Sequence, residues 1–161
     1  MIKIDKSAVI SLLADIEDSS RGSLISIGAH SSLDSFVKIK PAGGIGDLSI
    51  GSHCSINSGC VFYTGNGIKI GDGVLIAANS TFAPTNHKYL SREKYIREQG
   101  FADTKGGIVV KNDVWIGSNC VILDGAYIGQ GAIIAAGSVV RGQLDGYAIY
   151  GGNPLKKIKE R

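Results

Sequence analysis

The chain has 161 residues, of which 23 are glycine, 3 are proline and 19% are charged. Glycine is about twice its usual ~7% share, but no G-X-Y period accompanies it, which excludes collagen. A 43% apolar content and a slightly positive mean hydropathy exclude a disordered chain. Lys plus Arg against Asp plus Glu is 17 against 14, a net charge of +3. That balance, without any basic-aromatic array, argues against a nucleic-acid partner.

The length fits one domain over residues 1–161. The apolar run Ser7–Ala14 is short and leads into Asp15-Ile16-Glu17-Asp18, so no signal peptide is expected. Stretches without charge are interrupted by Gly, Ser and Asn, so no membrane insertion is expected either. A cytoplasmic location follows as the default. Residues 5–18 place Val9, Leu12, Leu13 and Ile16 on one side of a helix, and the spacing predicts a short N-terminal helix there.

Beyond it a six-residue step takes over. Ile27, Leu33, Ile39 and Ile45 form a weak run, with Lys38–Asp47 read as a loop or edge; Ile50, Ile56, Phe62 and Ile68 form a clearer one; Ile70, Ile76 and Phe82 follow after a two-residue slip. The strongest run is Val110, Ile116, Ile122, Ile128, Ile134 and Val140, a coincidence of roughly one in ten thousand per starting phase. The position four after the aliphatic is small: Cys54, Cys60, Ser80, Cys120, Ala126, Ala132, Ser138. All three cysteines fall on it. Their odd number and the lack of C-x-x-C argue against a disulfide framework, and they read as small core residues.

Such a unit is a hexapeptide β-helix repeat. Three units close a triangular coil of about eighteen residues, and two to three stacked coils bury an aliphatic column. Glycine after the aliphatic, as in Ile50-Gly51 and Ile116-Gly117, reads as the bend of the unit. The repeat is interrupted over 83–107, the most charged segment of the middle of the chain, which predicts an extruded loop with a function. Pro154 opens a last stretch, read as a short C-terminal helix over 154–161. His30 and His53 sit at turn or outward positions; His87 alone lies in the loop.

Three segments carry a resemblance: Ile70-Gly71-Asp72-Gly73-Val74-Leu75-Ile76-Ala77 followed by a loop histidine, Val109-Val110-Lys111-Asn112-Asp113-Val114-Trp115-Ile116-Gly117-Ser118, and Ala135-Ala136-Gly137-Ser138-Val139-Val140 with the ending Gly151-Gly152-Asn153-Pro154. Over about residues 22–161 the chain resembles the left-handed β-helix acyltransferases, in the branch of galactoside, maltose and polysaccharide O-acetyltransferases. The resemblance implies an all-β left-handed parallel β-helix, a homotrimer with sites between subunits, acetyl-CoA as co-substrate, and no metal.

His87 matches the family's general base, and imidazole suits that task because its ordinary pKa lies near neutrality. The resemblance places the oxyanion donor at the Ser118 N–H beside Gly117. Ala136, Arg141, Asn153, Lys156 and Lys159 match cofactor positions, and Asn57 and Thr64 match acceptor positions. Where the family has Thr-Lys, this chain has Arg141-Gly142; where it has an acceptor-binding Asp, this chain has Thr64. A saccharide hydroxyl, in bacterial surface-polysaccharide synthesis, is the acceptor this implies. The alternatives are N-acetylation of a nucleotide-linked amino sugar, a γ-carbonic-anhydrase-like zinc enzyme, and a non-catalytic β-helix scaffold.

Overall fold

A computed structural model describes all residues, 1–161. Its strands form three parallel sheets that run side by side along a triangular prism. The first sheet contains Ile2–Ile4, Ile25–Ile27, Leu48–Ile50, Ile68–Ile70, Ile108–Val110, Tyr127–Ile128 and Gln143–Leu144. With six strands in the third sheet, the chain completes six coils and two sides of a seventh, rather than two or three coils. No helix is long and apolar enough to cross a membrane.

The six-residue step works because short strands alternate with corners, and each strand points one residue inward, or two in the three-residue strands of the first sheet such as Ile25–Ile27 and Leu48–Ile50. Those residues stack in register. Ile27, Ile50, Ile70, Val110, Ile128 and Leu144 form one ladder. Leu33, Ile56, Ile76, Ile116, Ile134 and Tyr150 form a second. Ile16, Ile39, Phe62, Phe82, Ile122 and Val140 form the third. Cys54, Cys60 and Cys120 are buried among them, and burial pushes each thiol pKa up.

The glycines divide into two kinds. Gly59 and Gly137 take φ of 73° and 72° at the corner between second and third sheets, where Asn79 and Asn119 take 62° and 57°. Those following the aliphatic are needed for space instead. A Cβ on Gly117 would lie 2.6 Å from the Ala136 nitrogen of the next coil. His30 and His53 occupy the left-handed corner between first and second sheets, at φ 56° and 57°, and their rings stack 5.0 Å apart.

Both expected terminal helices are corrected. Residues 5–18 are the first coil: Val9–Ile10 and Asp15–Ile16 are strands, held to the second coil by bonds such as Val9 N–H to the Ser31 carbonyl at 2.9 Å. Ile4, Ile10 and Ile16 continue the six-residue step, and the helical spacing of Leu12 and Leu13 was a coincidence that leaves Leu12 fully exposed. At the other end, Lys156–Glu160 is a strand antiparallel to Ala148–Gly151. It covers the open edge of the last coil in the second sheet, whose unpaired N–H and C=O groups otherwise face solvent.

First- and second-sheet strands begin at 25 and 32, 48 and 55, 68 and 75, 108 and 115. Second- and third-sheet strands begin at 32 and 38, 55 and 61, 75 and 81, 115 and 121. These two connections hold their length. All the variation falls on the third corner, from Lys40 to Leu48, Tyr63 to Ile68, Ala83 to Ile108 and Leu123 to Tyr127. The long insertion leaves from that corner.

Candidate active site

The insertion departs through Pro84, buried against the coil, and at once forms a small two-armed hairpin. Lys88 N–H donates to the Gly100 carbonyl at 2.9 Å, and Ala102 N–H to the Asn86 carbonyl at 2.8 Å. His87 and Phe101 face each other across this pairing, with ring centroids 4.9 Å apart. The tip is tied by Gln99. Its Oε1 accepts from Ser91 N–H at 3.0 Å, and its Nε2 donates to the Ser91 and Lys94 carbonyls at 3.0 and 3.1 Å. Residues Ile96–Glu98 make one 3-10 turn. The returning arm is anchored by Asp124, a buried carboxylate that accepts from Lys105 N–H at 2.7 Å and Gly107 N–H at 2.9 Å. No short motif announces Asp124; its acidity at an otherwise apolar corner was the one signal available.

His87 borders three hollows, one within the insertion beside Tyr89, Leu90 and Gln99 and two against the prism. Of the latter two, one lies toward the N-terminal coils and is lined by Ala42, Gly43, Tyr63, Thr85 and Phe101. The other lies between the insertion and the third sheet and holds Lys105, Asp124 and Arg141. Arg141 also lines the next hollow along, with Asn153, Pro154 and Leu155. A groove thus runs from His87 past Arg141 to Asn153. Arg141 pairs with no carboxylate of the chain, so its charge is free for a ligand.

The remaining residues lie elsewhere. Gly117 and Ser118 turn the corner between second and third sheets, as do Asn57 and Ala136. The backbone N–H groups of Ser58, Ala78, Ser118 and Ala136 donate to no carbonyl of the chain, which leaves a row of free donors along one corner, Ser118 and Ala136 among them. That corner differs from the one carrying His87, so a single chain does not bring His87 and Ser118 together. Lys156 and Lys159 are exposed on the final strand and make no ion pair; Lys157 between them pairs with Glu160 at 2.6 Å.

Thr64 is a correction. It is 0% exposed and its hydroxyl has no hydrogen-bond partner. It fills the third corner from inside, where no acceptor reaches it. The three histidines do not converge either. His30 and His53 share one corner while His87 leaves from another, and no group of three or more potential metal ligands forms.

Comparison with known proteins bears on this arrangement. Residues 107–142 match the family described as bacterial transferase hexapeptide (six repeats), and residues 47–81 match the hexapeptide repeat of succinyl-transferase. No curated protein sequence matches the chain. Among solved structures, it is similar to AntD, an N-acyltransferase from Bacillus cereus, in complex with dTDP and 3-hydroxybutyryl-CoA. Identity is 26% over 99% of this chain and 82% of that one, with a TM-score of 0.82. A variant of the same enzyme, in complex with dTDP-4-amino-4,6-dideoxyglucose and coenzyme A, is 28% identical over 99% and 83%, with a TM-score of 0.82. A hexapeptide-repeat-containing acetyltransferase from Vibrio cholerae, complexed with acetyl-coenzyme A, is 29% identical over 83% and 69%, with a TM-score of 0.65. The chain thus shares its hexapeptide repeats and its left-handed parallel β-helix with these proteins.

Proposed function

We propose that the protein transfers an acetyl group from acetyl-CoA to the amino group of a nucleotide-linked sugar, with His87 as general base. The observation that carries this reading is the position of His87 between the two hollows against the prism, one continuous with the Arg141–Asn153 groove and one closed by Tyr63 and Phe101. An acyl donor laid along the groove places its thioester at the imidazole. The acceptor nitrogen attacks the thioester carbon, and His87 takes the proton it sheds. The tetrahedral intermediate collapses, the C–S bond breaks, and the proton passes to the departing thiolate.

The groove supplies the donor site's parts. Arg141 offers a guanidinium to a phosphate, and Asn153 extends the site to the end of the prism. The unpaired amides of Ser118 and Ala136 suit an oxyanion and the amide-rich pantetheine arm. They stand on a corner remote from His87, so the reading includes a homotrimer in which that corner of one subunit meets the insertion of its neighbour. Asn57, on the same corner, then faces the acceptor.

The likeness to an enzyme bound to a dTDP-linked amino sugar favours nitrogen as the nucleophile. O-acetylation of a saccharide in polysaccharide synthesis is the second reading, and the same His87 would serve it. A screen of amino sugars, nucleotide-linked amino sugars and oligosaccharides with acetyl-CoA, read by thiol release, separates the two. His87→Ala should lower transfer about 10²–10⁴-fold, while the thermal stabilisation by acetyl-CoA, ~2.7 kcal/mol at 100 times its Kd, persists. An active His87→Ala protein would overturn the assignment.

A further inference from the structure

The first coil leaves one end of the prism open. Its strands, Ile2–Ile4, Val9–Ile10 and Asp15–Ile16, are edge strands in all three sheets. Asp5, Val9, Ser11, Asp15 and Glu17 donate their N–H groups to the second coil at 2.8–3.1 Å. Alternate residues of a strand bond in opposite directions, so Ile4, Ile10 and Ile16 turn their N–H and C=O groups to the open end. The inward side chains there are apolar. Ile2, Ala8, Ile10, Ala14 and Ile16 pack on the core from one side only and stay half-buried, and Ile4 is 42% exposed. Their counterparts one coil on, Ile25, Ile27, Leu33, Val37 and Ile39 among them, are at most 3% exposed.

We propose that this end is an interface between two copies of the chain, set face to face about a two-fold axis that passes through the second side of the prism. Such an axis lays Val9–Ile10 antiparallel to the same strand of the other copy, a pairing that two open edges accept, and it exchanges the first and third sides. Those sides differ in charge. Lys3 and Lys6 on the first side make no ion pair, and Asp5 beside them is turned back onto Ser7. On the third side Asp15 and Glu17 share the single ammonium of Lys40, at 2.8 and 2.9 Å, which leaves one negative charge over. The two-fold therefore sets a basic side against an acidic one twice. A foreign strand would cover one side; another first coil matches all three. The opposite end cannot take its place, because Lys156–Glu160 already lies on the Ala148–Gly151 edge, so the pairing closes and does not run on into a fibre. One end face, with sides of roughly 15–20 Å, falls short of the ~800 Å² per partner of a stable complex. In a homotrimer, threefold symmetry keeps three such faces at one end, and they close together.

The count of six chains rests on the homotrimer of the functional reading; the pairing itself does not. Sedimentation equilibrium of the full chain, at micromolar concentration and about 100 mM salt, should give six chains per particle. Ile10→Glu puts a carboxylate in the apolar face and should halve that number, with an unchanged circular dichroism spectrum. Lys3→Glu with Lys6→Glu, and in a second protein Asp15→Lys with Glu17→Lys, set like charges across both exchanged sides. Each should weaken the pairing at least about tenfold. Mixed in equal amounts, the two proteins bring opposite charges together again and should recover it. Three chains at every concentration of the unaltered protein would overturn the interface, the end then being covered by some other partner. So would an even count that Ile10→Glu leaves unhalved, or a mixture of the two charge-reversed proteins that pairs no better than either alone. Two chains, reduced to one by Ile10→Glu, would uphold the interface and remove the homotrimer instead.

Discussion

Asp124 accepts the backbone N–H of Lys105 at 2.7 Å across 19 residues of chain. Through that bond a buried carboxylate on the third corner decides where the arm bearing Phe101 returns to the prism, and so where His87 stands. Asn at this position keeps one carbonyl acceptor but turns an NH₂ donor toward a backbone N–H. Leaving one buried N–H without a partner costs about 1–3 kcal/mol, or about 2–4 °C of Tm per kcal/mol for a chain this size. Asp124→Asn should therefore melt several degrees lower and be cut faster by trypsin within Lys88–Lys105. Unchanged melting and cleavage would show that the insertion is held some other way.

The thiols give a pH prediction. Burial raises Cys54, Cys60 and Cys120 above the ordinary value of 9.0, so the unfolded chain loses these protons before the folded one does. The associated stability is complete below about pH 9 and is lost as pH rises through the folded-state values. Urea midpoints should fall between about pH 8 and about pH 10, and a Cys-to-Ala triple variant should lose part of that slope. Native protein should not react with a thiol reagent until denaturant is added.

Phe82 stacks on Phe62 with centroids 4.6 Å apart and 18° between planes, and both are 0% exposed. Phe82→Ala should cost about 3–5 kcal/mol by denaturant unfolding. Tyr89→Ala, at a position 68% exposed, should stay within about 0.5 kcal/mol. Equal effects would contradict the stacked core.

The last strand shields an edge. Arg161 fastens it by donating to Asp113 at 2.8 Å and to the Gly131 carbonyl at 3.0 Å. Removal of residues 156–161 should expose the 148–151 edge and produce concentration-dependent association, visible in light scattering. A truncated protein with an unaltered size distribution would show the edge is covered otherwise.

What the sequence made legible was what repeats. The Val110–Val140 run gave the coils, the small position gave the cysteines their place, and the break in the repeat located the insertion with His87 on it. The ends were misread for physical reasons. Leu12 and Leu13 fit a helical face as well as they fit a corner of an uncovered first coil. Lys156–Glu160 is exposed at every residue and has one partner strand, so it lacks the inward alternation that marks a strand. Thr64 was assigned by likeness of position, without regard to the inward direction that its corner imposes. Asp124, Tyr63 and Phe101 act through tertiary contacts between distant segments, and no local pattern encodes those.

The confinement of all length variation to one corner has a consequence for how such a molecule changes. Hydrogen-bond register passes from coil to coil along strands joined by connections of fixed length, so whatever is spliced into the third corner leaves the stack undisturbed. The stack of coils and the walls of the hollows beside His87 are thereby carried by separable stretches of chain. Exchange of residues 84–107, together with the short segment 41–47 that floors the hollow, should redirect the enzyme to another acceptor on an unchanged chassis.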